Sequence, residues 1–132
     1  MLELLHIENL AVIETADIQF YPGFNALTGE TGAGKSIVVD AMQAVLGGRA
    51  SRDLIRTGAV SAFVSAVFSG LPQSFPALAA CGAAPDEEGK LLLQREITAD
   101  GRNVCRANGR PLTVSQLRAV GAELLNIHGQ HE

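Results

Sequence analysis

The sequence predicts an α/β fold: a mixed sheet with a β-hairpin region and one long helix behind a glycine-rich loop, built as one domain over residues 1–132. Three observations predict it. At residues 35–46, directly after the glycine-rich stretch, the apolar period becomes that of a helix. Before it, short runs mix apolar and polar residues in the manner of half-buried strands. After it, Asp100-Gly101 lies between two alternating runs and Asn108-Gly109 follows them, the dipeptides that tight hairpin turns favour.

The elements follow in order. Residues 2–28 read as a β-meander, with strands in "LELLHIENLAVIE" and "TADIQF" and a Pro22-Gly23 turn into another strand. In the helix, Ile37, Val38, Ala41, Met42, Val45 and Leu46 share one face, and Gly47-Gly48 supplies the left-handed stop. "SAFVSAVF" reads as a strand and "PQSFPALAACG" as a loop with a short helix. "KLLLQREIT" and "RNVCRA" form the hairpin around Asp100-Gly101. Thr113 caps a helix over "VSQLRAVG", and "AELLNIH" reads as a final apolar strand.

Composition bounds the function. Hydrophobic residues make up 47% and charged residues 18%, which places the chain among globular proteins. A net charge of −4 argues against a nucleic-acid binder that relies on bulk charge, though a local basic face is compatible with it. Cys81 and Cys105 lie far apart and form no CxxC pair, so they read as buried or half-buried thiols. The N-terminus has early acidic residues and no basic region of the kind that opens a signal peptide. No apolar run approaches the roughly 18 residues of a membrane span. A cytoplasmic location without membrane partners is the expectation.

The chemistry is concentrated in "LTGETGAGKSIVVDA". Gly29-Glu30-Thr31-Gly32-Ala33-Gly34-Lys35-Ser36 matches G-x-x-x-x-G-K-[ST] in full. Its glycines let the backbone fold into a nest whose N–H groups point at phosphate oxygens. The helix that follows adds its positive N-terminal dipole at the same spot. Lys35 can reach the β and γ phosphates, and the Ser36 hydroxyl can ligate Mg²⁺. A predicted strand before the motif and a predicted helix after it are the context such a loop requires.

Hydrolysis needs more: a carboxylate at the end of a second apolar strand, to help place Mg²⁺ and water. "IVVD" ends in Asp40 but lies on the helix after the loop, and "AELLNIH" ends in Asn126 and His128. No other run qualifies. The expectation is a chain that binds a nucleotide without the parts to hydrolyse it.

That combination resembles the N-terminal half of an ABC-type ATPase head of the SMC-like class, and its details resemble the RecN family of bacterial SMC-like DNA-repair proteins. The matching stretches are "LLHIENLAVIE", "LTGETGAGKSIVVDA", "LGGRA", "LIRTG" and "NIHGQHE". Glu30-Thr31 departs from the Asn-containing loop usual in other ABC and SMC proteins and favours the RecN type. The resemblance covers nearly the whole chain, "QSFPALAACGAAPDEEG" being its least distinctive part. It implies a P-loop NTPase lobe binding ATP and Mg²⁺, with the coiled coil, the signature motif and the C-terminal half of the head lying outside these 132 residues. It implies as partners that C-terminal half, a second head in a homodimer that sandwiches ATP, and DNA, which places the intact protein at the nucleoid. It also implies that Gln130 occupies the Q-loop position, where its amide oxygen touches Mg²⁺ or the attacking water. An exposed Gln at a strand end is the alternative. His128 and His131, without further ligands, make no zinc site.

Eight of the ten basic residues are arginine. Arg49, Arg52 and Arg56 follow the long helix, where the family implies an arginine near nucleotide or DNA without saying which. Arg102, Arg106 and Arg110 would share one face if a single strand ran through them, but the Asn108-Gly109 turn interrupts it. Such a face could meet phosphates or could simply be solvated. Tyr21 and five Phe leave little for base stacking. The competing functions are a P-loop kinase or transporter-type ATPase segment, which needs its own carboxylate strand, and a non-enzymatic module that keeps a nucleotide cradle for folding.

Overall fold

The computed structural model describes residues 1–20 and 32–127, and for residues 32–35 the backbone alone. The predicted strand at residues 24–28 lies outside the described residues. The elements are β1 (Leu2–Leu10), β2 (Ile13–Gln19), α1 (Gly32–Val45), a single 3-10 turn (Arg52–Leu54), β3 (Ser61–Phe68), α2 (Pro76–Ala80), β4 (Leu91–Thr98), β5 (Asn103–Ala107), β6 (Arg110–Leu112) and α3 (Val114–Ile127). The six strands form one sheet in the order β2-β1-β3-β4-β5-β6, with every described pairing antiparallel.

Strict alternation decides which face is covered. Leu5 and Ile7 of β1 pair with Ala66 and Val64 of β3. Ala62, Val64 and Ala66 face Ile97, Arg95 and Leu93 of β4, and Arg95 and Leu93 face Cys105 and Ala107 of β5. All of these are buried. Apart from Ile97 and Arg95 they form one core with Ile37, Val38, Ala41 and Val45 of α1, Leu78 of α2, and Leu117, Val120 and Leu124 of α3. The helices therefore lie on one face of the sheet. The opposite residues (His6, Phe63, Ser65, Gln94 and Glu96 among them) are only half-buried.

The hairpins form as their dipeptides require. Gly101 has φ 93°, and Asn108 and Gly109 have φ 47° and 83°, the consecutive left-handed pair that suits the right-handed twist of flanking strands. The short strand β6 completes the second hairpin. Asn108 secures its end of the sheet: its side-chain oxygen accepts from the Leu92 N–H at 2.8 Å, and its amide donates to Ala84 O at 2.9 Å.

One element departs from expectation. Residues 122–127 of the predicted final strand at 122–128 continue the helix begun at Val114, so α3 runs without a break through Gly121. The buried residues Leu117, Val120, Gly121 and Leu124 follow the i, i+3, i+4, i+7 pattern of one helical face. Gly121 is a packing residue here, not a stop: a Cβ on it would stand 2.3 Å from Leu46 O. The Thr113 cap is as predicted. Its hydroxyl accepts from Gln116 N–H, and Gln116 Oε1 accepts from Thr113 N–H, a reciprocal capping box.

Candidate functional site

Of the predicted phosphate-loop residues, Gly29, Glu30 and Thr31 lie outside the described residues, as do the side chains of Ala33 and Lys35. The described backbone starts α1 at Gly32, inside the motif, so the helix's free N–H groups fall within residues 32–36. No acidic residue occupies the first turn, and no carboxylate there competes with an incoming anion for the positive helix end. Ser36 is exposed while Ile37 and Val38 beside it are buried, so the serine lies on the solvent side of the helix. These features fit a bound polyphosphate and a hard cation near Ser36. Gln130, His128 and His131 lie outside the described residues.

The other end of α1 is held unusually firmly. Gly47, with φ 89°, ends the helix, and a Cβ on it would stand 2.4 Å from the backbone of Arg118 on α3. Arg95, only 3% exposed, reaches from β4 to this end. Its Nη1 donates to Ala44 O at 2.8 Å and to Gly48 O at 2.7 Å, while Nε donates to Asn103 Oδ1 at 2.9 Å. Arg118 Nε donates to Gly47 O at 3.2 Å. Two guanidinium groups thus satisfy carbonyls at the negative end of the helix dipole. Burial pushes the Arg95 guanidinium below its ordinary range; the Cys105 sulfur opposes this and the Arg118 charge adds to it. Burial raises the Cys105 thiol, with Arg95 opposing, and raises the half-buried Cys81 thiol as well. Both cysteines are free.

Arg95 is not among the residues that the sequence singles out, since "KLLLQREIT" reads there only as a hairpin strand. A signal was present: Leu91, Leu93 and Ile97 are apolar at alternate positions, and Arg95 shares their parity.

The arginines after α1 do not converge. Arg49 borders a groove between α1 and α3. Arg52 donates to Ala99 O across a long 3.4 Å, and Arg56 lines a shallow hollow with Ala11, Val12 and Thr57. That region is tied to the β1–β2 turn through Ala11 N–H to Leu54 O at 2.6 Å and Arg56 N–H to Asn9 O at 2.8 Å. The hairpin arginines are likewise separate. Arg102 pairs with Asp100 at 3.3 Å. Arg106 lies on the open sheet face, whereas the Arg110 guanidinium lies against Gly82 on the helix side. The same open face carries Glu96 on β4, Glu8 on β1 and Asp17 on β2, so it is not a basic face. His6 stands there between two carboxylates, with Nδ1 at 2.6 Å from Asp17 Oδ1 and Nε2 at 2.7 Å from Glu8 Oε2. Hydrogen bonding to Glu8, then to Asp17, raises its pKa above the ordinary 6.5.

The groove between α1 and α3, about 360 Å³, is lined by Gln43, Leu46 and Gly48 on one side and Arg118, Ala122 and Leu125 on the other. Leu125 is 60% exposed and Val39, one turn before Gln43, is 46% exposed. The apolar surface of these helices therefore continues past the core.

The AAA domain family matches residues 4–74. Over the whole chain, the sequence is 42% identical to the DNA repair protein RecN of Bacillus subtilis, covering 23% of that protein. It is 43% identical to RecN of Halalkalibacterium halodurans, again over the whole chain and 24% of the relative. The chain thus spans about a quarter of the length of these curated relatives. Among solved structures, it superposes on an SMC ATPase chain, from work on ATP-driven dimerization and DNA-stimulated activation, with TM-score 0.70 and 29% identity. That match covers 92% of this chain and 79% of the other.

Proposed function

The chain belongs to the AAA domain family and aligns along its whole length with RecN DNA repair proteins, and from this we propose that residues 1–132 are the ATP-binding N-terminal half of a RecN-type ATPase head. The intact protein would act in recombinational repair of DNA double-strand breaks. The observation that carries the reading is the start of α1 inside a complete G-x-x-x-x-G-K-[ST] motif, with a carboxylate-free first turn and Ser36 facing solvent. The likeness to RecN along the whole chain favours this over the kinase or transporter-type alternative.

In this reading the backbone of Gly29, Glu30, Thr31, Gly32, Ala33 and Gly34 cradles the phosphates, Lys35 neutralises the β and γ oxygens, and Ser36 and Gln130 hold Mg²⁺. Mg²⁺, when bound, would offset charge between the phosphates. Gln130 would also orient water, its neutral amide adding no charge to the site. Hydrolysis belongs to a dimer of heads, each completed by its C-terminal half. The uncovered groove beside α1 and the exposed Leu125 supply a surface for that half. Among the described residues no helix is long and apolar enough to cross a membrane, and a place at the nucleoid follows from the repair role.

Calorimetric titration with ATP and Mg²⁺ tests the assignment. Lys35→Ala should weaken binding on the order of a hundredfold, since a charge-assisted contact to phosphate is lost. Ser36→Ala should weaken Mg²⁺-dependent binding more than metal-free binding. Unchanged affinity in Lys35→Ala would remove the loop from the site.

A further inference from the structure

We propose that Arg95 is a positioning residue for the phosphate-loop helix: from β4 it fixes where α1 sits, and so where the phosphate cradle at the far end of α1 lies. The inference rests on the nucleotide reading above.

Core economy alone does not explain this residue. Its neighbours on the same face of β4 are Leu93 and Ile97, both buried, and a third aliphatic side chain would continue that row. Replacing a buried charge by a well-packed apolar group is often neutral or stabilising, because desolvation opposes the charge. Among the described residues no carboxylate pairs with Arg95. Its hydrogen bonds go instead to Ala44 O and Gly48 O at the end of α1 and to Asn103 Oδ1 on β5.

What a guanidinium supplies here, and an aliphatic group does not, is direction. The apolar contacts of Ile37, Val38, Ala41 and Val45 hold one face of α1 against the sheet, but such contacts are non-directional. Nη1 bonds two carbonyls at the helix end while Nε of the same planar group is tied to Asn103 on β5, and together these bonds set the helix's axial position and roll. Arg118 Nε on Gly47 O and the close approach of α3 to Gly47 restrain the same end from a second element. A helix of 14 residues is a stiff rod about 21 Å long. A restraint at its C-terminal end is therefore felt at residues 32–36. Placement errors near 1 Å are enough to lose much of a site's efficiency.

The test compares Arg95→Met, Arg95→Lys and a remote core variant, Leu78→Ala on α2, in the intact protein. Three quantities are read: melting temperature, ATP affinity well below melting, and amide hydrogen exchange along α1 without nucleotide. Arg95→Met should weaken ATP binding roughly tenfold, the range in which coupling through packed elements operates. Exchange along α1 should also quicken. Arg95→Lys keeps a cation near the carbonyls without the fork, and should restore part of both. Leu78→Ala should lower the melting temperature while leaving affinity and α1 exchange at their wild-type values. If Arg95→Met does not fold, Arg95→Lys carries the comparison. Folded Arg95 variants with wild-type affinity and wild-type exchange along α1 would overturn the proposal. Failure of the wild type to bind ATP would instead overturn the nucleotide reading, and exchange along α1 would still decide whether Arg95 holds the helix.

Discussion

His6 lies between Asp17 and Glu8 on the open sheet face, with both ring nitrogens within hydrogen-bond distance of a carboxylate. A neutral imidazole has one N–H, so one of these contacts would then set a lone pair against a carboxylate; the doubly protonated ring satisfies both. The folded-state pKa is raised above 6.5 for that reason. The pair's stabilisation is therefore fully present below about pH 6.5 and is lost as pH rises through the elevated folded value. Both carboxylates are well exposed, which limits the effect to on the order of 1 kcal/mol or less. His6→Asn should lower the melting temperature relative to wild type at pH 6, and the gap should close by pH 8.5. A gap that widens with pH would contradict this sign. Neither His6 nor Arg95 stood out in the sequence, since Asp17 across the ladder from His6 and the carbonyls at the end of α1 that bind Arg95 are brought there only by the fold. The parity of Leu91, Leu93, Arg95 and Ile97 was nonetheless legible.

The elements that could be read directly were those whose chemistry is local. Asp100-Gly101 and Asn108-Gly109 name their own turns, and the buried face of α1 follows from spacing alone. α3 is cut short in the sequence, where "VSQLRAVG" reads as the whole helix and "AELLNIH" as an apolar strand. Tertiary packing overrode both: the glycine admits the Leu46 carbonyl, and Leu124 continues the buried stripe. This sets two opposing effects at one position. Ala favours a helix over Gly by about 1 kcal/mol. Its methyl, however, would lie 2.3 Å from Leu46 O, a backbone atom that cannot swing aside. Overpacking of this kind costs about 1–3 kcal/mol. Gly121→Ala should therefore lower the melting temperature by a few degrees in a thermal scan, and a rise would show that the junction relaxes. The motif at residues 29–36 was legible as pattern, while the firm seating of its helix by Arg95 and Arg118 was not.

At the scale of the whole molecule, the helices cover one sheet face and still leave apolar surface at Val39, Leu46 and Leu125 beside the groove. Leu125→Asp should change the chain's own melting temperature little, since the position is 60% exposed. If the C-terminal half of the head covers this groove, the substitution should weaken its association on the order of tenfold or more, because a buried leucine contributes about 1.5–3 kcal/mol. Affinity purification of co-expressed halves, titrated for dissociation, measures this. The strand order carries a separate consequence. β1–β2 and β3–β4–β5–β6 are two runs of neighbours in sequence, and among the described residues the ladder from β1 to β3 sews them together. Partners across it, such as Glu8 and Phe63, lie on either side of the entire glycine-rich segment. Zipping that seam means closing the long intervening loop, the slowest kind of contact for a chain to find. During synthesis α1 leaves the ribosome before β3, the strand that must dock beside β1, so the helix can seat on a joined sheet only late; if residues 29–36 hold a nucleotide as proposed, one arriving early would meet an unfinished vessel.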